Sequence, residues 1–94
     1  MLFVATHTHL ASECPQTTHE GREMFKRLNS DIKTKRLGVN VMSAYISCPK
    51  STGEDHKGIF IVEADSATTA MKFFGRVSVD VRPVRQFSEV VKAL

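Results

Sequence analysis

The sequence contains no tryptophan, one tyrosine and two cysteines, and its formal charge of +3 is small for 94 residues. Two cysteines are too few for the disulfide framework of a small secreted domain, so we expect both to be thiols in a reducing compartment. No apolar run approaches the roughly 20 residues of a membrane-spanning helix. The opening residues also lack the basic segment that begins a secretion signal. We therefore predict a cytoplasmic protein with no membrane partner.

Repeats, linkers and low-complexity tracts are missing as well. The composition, with 41% hydrophobic and 24% charged residues, is that of a globular protein. A chain of this length has enough apolar surface for one core but not for two. We predict a single domain over residues 1–94.

Hydrophobic periodicity predicts four strands and two main helices. The strands are expected at Leu2–Thr8, Val39–Cys48, Gly58–Ala64 and Val77–Val84. The helices fall in the first and third intervals, which gives the order strand, helix, strand, strand, helix, strand. Right-handed crossovers would interlock the two strand-helix-strand units into one antiparallel sheet with both helices on one face. The predicted fold class is α+β, a ferredoxin-like βαββαβ unit.

Capping residues predict where the helices begin and end. Thr17, followed by Glu20 three residues later, is a capping box that opens the first helix. The remaining signals are Asp65 or Ser66 as the second cap, Ser88 as the cap of a short terminal helix, and Gly38 and Gly75 as stops. The predicted buried stripes are Met24, Phe25, Leu28 and Ile32 on the first helix, and Ala67, Ala70, Met71 and Phe74 on the second.

The first three strands carry apolar side chains on both faces of the predicted sheet. In the first strand, Leu2 and Val4 alternate with Phe3 and Ala5. Two helices cover only one face, and a soluble monomer rarely leaves so large an apolar patch exposed. We predict that the sheets of two copies pack together as a homodimer.

The C-terminal half resembles a known family. Gly58–Asp65, Val79–Val84 and the triplet Phe87-Ser88-Glu89 are similar to segments of small GYD-domain proteins in the dimeric α+β barrel superfamily. The Gly-Tyr-Asp triplet itself is absent, because Tyr45 is followed by Ile-Ser-Cys-Pro. The resemblance implies the barrel fold and its dimerisation, and it carries over no catalytic residue. Members of the superfamily include monooxygenases, isomerases and ligand-sensing domains.

The histidines and cysteines are predicted to collect at one end of the sheet. His7 and His9 are two residues apart on the first strand, so both imidazoles project from the same face. Cys14 lies in the next loop, Cys48 closes the second strand, and His56 immediately precedes the third. Imidazole and thiolate ligands suit zinc, copper or iron. We predict a metal site of His7, His9 and Cys14, with His56 as the fourth ligand.

A structural interpretation of the same residues stays open. Polar residues collect at strand ends and in loops whether or not they bind anything, and His-x-His lacks the specificity of paired Cys-x-x-Cys. Cys14 would then be a packing thiol beside Pro15, Cys48 a small buried hydrophobe, and His19 a solvated residue at the start of a helix.

A second group of polar residues lies on the strands. Glu63, Asp80 and Arg82 would suit acid–base chemistry if burial shifted the pKa of a carboxylate, with Tyr45 positioning a substrate oxygen. We therefore predict a small-ligand site of Tyr45, Glu63 and Arg82. The alternative is that Glu63 and Arg82 form a structural ion pair across strands or across the dimer. The sequence contains no glycine-rich phosphate loop and no Ser-His-Asp arrangement.

Nucleic acid is not an expected partner. Six basic residues cluster in the first helix and just after it, at Arg22, Lys26, Arg27, Lys33, Lys35 and Arg36. Cations in the last turns of a helix complement its dipole, and acidic residues are interspersed among these. The scarcity of tyrosine and tryptophan also argues against a surface that stacks bases.

Two functions follow from these patterns. The first is a homodimeric binding or accessory protein that holds a transition metal or small ligand at the histidine end of the sheet. The alternative is a small cofactor-independent oxygenase or isomerase, with a histidine, His7 above all, as general base in an apolar pocket.

Overall fold

The computed structural model describes residues 1–48 and 55–94 of the chain. The strands are β1 (Leu2–His9), β2 (Asn40–Ser47), β3 (His56–Glu63) and β4 (Asp80–Pro83), and the helices are α1 (His19–Thr34), α2 (Ala67–Phe74) and α3 (Phe87–Lys92). Single 3₁₀ turns occur at Ala11–Glu13, Pro15–Thr17 and Arg36–Gly38. The predicted order of elements and the α+β class are confirmed. The longest helix, α1, has 16 residues, and none in the described part of the chain combines the length and apolarity needed to cross a bilayer.

The sheet has the order β2-β3-β1-β4, and every neighbouring pair is antiparallel. β3 thus lies between the two strands that α1 connects, and β1 lies between the two that α2 connects. This is the interlocking of strand-helix-strand units expected from the sequence. Pairing of the sheet with a second copy stays a prediction.

The core lies between one face of the sheet and the helices. Phe3, Ala5 and Val62 are almost fully buried on that face, and Phe73 and Phe74 cover them from α2. On α1, Leu28 is the buried member of the predicted stripe, while Met24, Phe25 and Ile32 are half-buried.

Several predicted boundaries move by one or more residues. The cap of α1 is Thr18, whose hydroxyl accepts a hydrogen bond from the Gly21 N–H at 3.0 Å, whereas Thr17 was predicted. α1 ends at Thr34, with Lys35 as a left-handed C-cap, and so stops before the predicted Gly38. Ser66 caps α2 and Gly75 ends it, as predicted, but α3 begins after Gln86.

The face that α2 buries also differs from the prediction. Ala70, Phe73 and Phe74 are buried, whereas Met71, predicted to be in the core, is 56% exposed. β4 is shorter than predicted because Val77 lies in the turn that precedes it, where it is buried.

The connection between β2 and β3, predicted over Pro49–Lys57 as a lid bearing His56 or a tolerated insertion, is described only in part. Residues 49–54 lie outside the described residues. His56 and Lys57 are the first two residues of β3, so His56 is held in the sheet.

Candidate metal centre

Four nitrogen and sulfur donors from separate segments meet at the sheet end where β1 finishes. One ligand atom from each of His9, Cys14, Cys48 and His56 lies within 4.8 Å of every other. The segments are the end of β1, the loop before α1, the residue after β2, and the start of β3. The four side chains are therefore brought together by the tertiary fold and not by proximity in sequence.

Strand register explains the histidine half of this cluster. β1 and β3 pair so that His9 lies directly opposite His56, and His7 lies opposite Gly58. Residues directly opposite each other in an antiparallel pair project from the same face. Alternation along β1 puts His7 and His9 on the face that also carries Phe3 and Ala5, which is the face covered by the helices.

The cysteine half comes from the two segments that flank this strand pair. Cys14 joins the 3₁₀ turns Ala11–Glu13 and Pro15–Thr17, and the Thr17 hydroxyl donates to its carbonyl oxygen at 2.6 Å. Cys48 follows the last residue of β2, which pairs with β3 up to Ser47 opposite Lys57. Because the pair is antiparallel, the residue after Ser47, which is Cys48, lies beside the residue before Lys57, which is His56.

Two of the distances in the cluster are close to those of a tetrahedral site, and the others are at most 4.8 Å. His9 Nε2 is 3.1 Å from His56 Nδ1 and 3.9 Å from Cys48 Sγ. Two ligand atoms bound tetrahedrally at the usual Zn–N and Zn–S lengths lie about 3.3 to 3.8 Å apart. The His9–His56 and His9–Cys48 separations are thus within a few tenths of an ångström of tetrahedral values.

A chain of hydrogen bonds fixes the tautomers behind the cluster. His7 Nδ1 lies 2.7 Å from the Ser78 carbonyl oxygen, which can only accept, so this nitrogen carries the proton. His7 Nε2 is then an acceptor in the neutral ring, and His9 Nδ1, at 2.9 Å, donates to it. The remaining nitrogen of His9, Nε2, is then the acceptor in the neutral ring, and it faces His56 Nδ1 and Cys48 Sγ.

Burial favours the uncharged forms of His9 and Cys48. Cys14 and His56 are buried, and His9 and Cys48 are half-buried. Desolvation lowers the pKa of His9, the neighbouring His7 and His56 lower it further, and Asp55 opposes them. Desolvation and the adjacent Cys14 raise the pKa of the Cys48 thiol. A neutral imidazole is the form that binds a metal, whereas each thiol must release a proton on binding.

Three of the four predicted metal ligands lie in the cluster: His9, Cys14 and His56. His7 lies one ring further from the cluster centre, hydrogen-bonded to His9. Cys48 occupies the fourth place, although its type and position had equally suggested a buried hydrophobe. The signal for Cys48 in the sequence was its position directly after β2, the strand that pairs with β3, because β3 begins with His56. His19 begins α1 and is exposed.

The second predicted group lies on the opposite face of the sheet. Tyr45, Glu63 and Arg82 are all exposed there, and Tyr45 is 73% exposed. Arg82 Nε is 2.8 Å from Asp80 Oδ2, so within the chain its ion pair is with Asp80 and not with Glu63. The strand pairings place Arg82 opposite Val4 and Glu63 opposite Leu2. The structure thus puts the three residues on one open surface, and of the three only Tyr45 also borders the apolar cavity between α1 and β2 that the described residues form.

Comparison of the chain with protein-family models, with curated proteins and with solved structures finds no match. The likeness to dimeric α+β barrels stays a prediction, and the function has to be inferred from the site.

Proposed function

We propose that this protein binds one transition-metal ion per chain, and that zinc fits best. The observation that carries the proposal is the convergence of His9, Cys14, Cys48 and His56 within 4.8 Å. Two imidazoles and two thiolates form a common structural zinc set, and thiolate ligands also suit copper(I) and iron. Four protein ligands leave no open position for a substrate, so we infer a binding or accessory role in the cytoplasm.

The charge balance supports a divalent ion. Two residues of the cluster are buried and two are half-buried, and two uncompensated thiolates there would repel each other. A doubly charged cation neutralises two thiolates and replaces the hydration that burial removes. Binding also fastens the Cys14 loop and the end of β2 to the β1–β3 pair, so metal binding and local folding are coupled.

Catalysis by His7 has less support. Both ring nitrogens are engaged, one by the Ser78 carbonyl and the other by His9, so neither is free to take a proton from a substrate. The apolar cavity between α1 and β2, of about 240 Å³, has no histidine among its described lining residues. A catalytic Cys48–His9 dyad is also disfavoured, because 3.9 Å is long for a hydrogen bond from the thiol to its base and the raised pKa of the Cys48 thiol leaves little thiolate for rapid turnover.

The first test is metal binding by the unmodified chain. Untagged protein, purified without chelator and then stripped of metal, is expected to take up one zinc or cobalt ion per chain. Elemental mass spectrometry gives the ratio. The cobalt(II) form should show the intense visible bands of a tetrahedral site and a near-ultraviolet thiolate-to-metal charge-transfer band. Protein that takes up neither ion stoichiometrically would refute the proposal.

We infer that His7 positions His9 and is not a ligand itself. Ligating histidines generally donate their second N–H to an acceptor that fixes the ring, and loss of such an acceptor weakens metal binding about 10- to 100-fold. His7→Leu removes the acceptor for His9, whereas His7→Gln offers a carbonyl oxygen near the place of Nε2. We expect weakening of that size in His7→Leu and partial recovery in His7→Gln.

The cobalt spectrum distinguishes positioning from ligation in these two variants. A positioning role leaves the band positions of the saturated His7→Leu protein close to those of the wild type, with one ion per chain. A changed spectrum or a lost ion would instead make His7 a ligand. Unfolding of the metal-free variants reports any general loss of stability separately.

Homodimerisation through the open face of the sheet is the second part of the proposal. Ile59 is 47% exposed on this face, and Leu2, Val4 and Ile61 beside it are only half-buried. A second copy would cover this apolar strip. Light scattering is expected to give twice the 10.5 kDa chain mass, and Ile59→Lys to give the monomer mass. Thr68→Lys, on the exposed side of α2, should stay dimeric. A monomeric wild type at micromolar concentration would contradict the proposal.

A further inference from the structure

We propose that Cys14 and Cys48 are a redox pair that hydrogen peroxide converts to an intramolecular disulfide. The Sγ atoms of these two residues lie within 4.8 Å of each other. Both are free thiols in the structure, and the chain has no third cysteine to compete. The disulfide itself is independent of the proposed function, whereas its consequence for bound metal rests on that function.

Formation of this disulfide requires only a small movement of the two sulfur atoms. A disulfide has an S–S length of about 2.05 Å, so the two sulfurs must approach by less than about 3 Å, a distance that rotation of two side chains can share. Cys14 lies between two short 3₁₀ turns, and Cys48 lies just beyond the last residue of β2. Neither residue lies within an α-helix or in the paired part of a strand, where the backbone would resist the movement.

Exposure decides which thiol reacts first. Cys48 is half-buried, whereas Cys14 is only 5% exposed, so peroxide reaches the Cys48 sulfur. That sulfur attacks one peroxide oxygen and the O–O bond breaks. Cys48 becomes a sulfenic acid, and the departing hydroxide takes the thiol proton to form water.

Cys14 then resolves the sulfenic acid. Its sulfur attacks the Cys48 sulfur, the S–S bond forms and the S–O bond breaks. The hydroxyl group leaves with the Cys14 proton as a second water. In sum, two thiols and one hydrogen peroxide give one disulfide and two waters. Each sulfur is oxidised by one electron, and peroxide is reduced by two.

The disulfide removes half of the proposed ligand set. Its sulfurs no longer carry thiolate charge, so His9 and His56 alone face the ion, and the ion is released in its original oxidation state. A reducing dithiol restores both thiolates and the site. The pair would thereby make metal occupancy respond to peroxide.

Intact mass spectrometry under denaturing, non-reducing conditions tests the pair in metal-free protein. After treatment with equimolar peroxide we expect one species lighter by two hydrogen atoms, with both thiols lost to a thiol-reactive dye and recovered with dithiothreitol. The single variants Cys14→Ser and Cys48→Ser are the matched controls and should not give that species. Protein that stays a dithiol, gains oxygen atoms to sulfinic acid, or cross-links between chains would overturn the proposal.

Zinc-loaded protein tests the consequence separately. A chromogenic chelator should detect one zinc released for each disulfide formed. If zinc binds stoichiometrically but no disulfide forms, the redox pair fails while the proposed function stands. If the metal-free chain forms the disulfide but never binds zinc, the redox pair stands and the metal function fails.

Discussion

Replacing Cys48 with serine is expected to weaken zinc binding by roughly 100-fold or more. Structural zinc sites bind with about 10–16 kcal/mol, and one of four ligands accounts for about a quarter of that. Since about 1.4 kcal/mol corresponds to a factor of ten, the loss spans about two to three powers of ten. Serine is close to cysteine in size, but its hydroxyl is a far weaker zinc ligand than a thiolate. The variant thus removes ligation with little change in packing.

Competition with a chromogenic zinc chelator gives the affinities for this comparison. His19→Gln is the control, because His19 is exposed at the start of α1 and outside the cluster. It should bind zinc like the wild type. The cobalt form of Cys48→Ser should keep about half of the thiolate charge-transfer intensity, since one of two thiolates remains. Wild-type affinity in Cys48→Ser would show that Cys48 is not a ligand.

The sequence was sufficient to predict which end of the fold carries the histidine and cysteine cluster. Strand alternation placed His7 and His9 on one face, and the order of elements brought Cys14 and His56 to the same end. The set predicted from the sequence contained His7, whereas the cluster contains Cys48 in its place. The difference depends on register, because His9 lies opposite His56 while His7 lies opposite Gly58, two residues away along β1.

The elements themselves were predicted better than their ends. Thr17 and Thr18 both precede the helix, and the choice of Thr18 as cap frees the Thr17 hydroxyl to hold the Cys14 carbonyl. The C-cap of α1 is Lys35, in a left-handed conformation that a lysine rarely adopts, so no local pattern marked the end of the helix. Tertiary contacts determine where a helix begins and ends, and the conformational preferences of single residues do not include those contacts.

The rotation of α2 could not be predicted for a related reason. The helix has eight residues, and its apolar side chains span one arc of roughly 160°, with Met71 at one edge and Phe73 at the other. One apolar stripe contains Met71 and another contains Phe73, so periodicity alone fits both. The β1–β3 pair decides between them, because its buried residues Phe3 and Val62 form the surface that α2 covers.

Truncation of Phe73 to alanine is therefore expected to be the most damaging change in the core. The side chain is 1% exposed, its ring lies 5.3 Å from that of Phe74 in an edge-to-face arrangement, and the Arg36 guanidinium lies 5.6 Å from its centroid. Deleting a buried phenylalanine ring costs about 3–5 kcal/mol. That is a large part of the 5–15 kcal/mol typical of the free energy of unfolding.

Met71→Ala is the matched comparison on the same helix. Met71 is 56% exposed, so its truncation should change the free energy of unfolding by less than about 1 kcal/mol. Urea denaturation of both variants in metal-free buffer separates the core from the metal site. If Met71→Ala is the more destabilised of the two, α2 packs with the face that its sequence periodicity predicted, and the rotation described above is wrong. If Phe73→Ala is the more destabilised of the two, the buried surface of β1 and β3 determines how the helix packs.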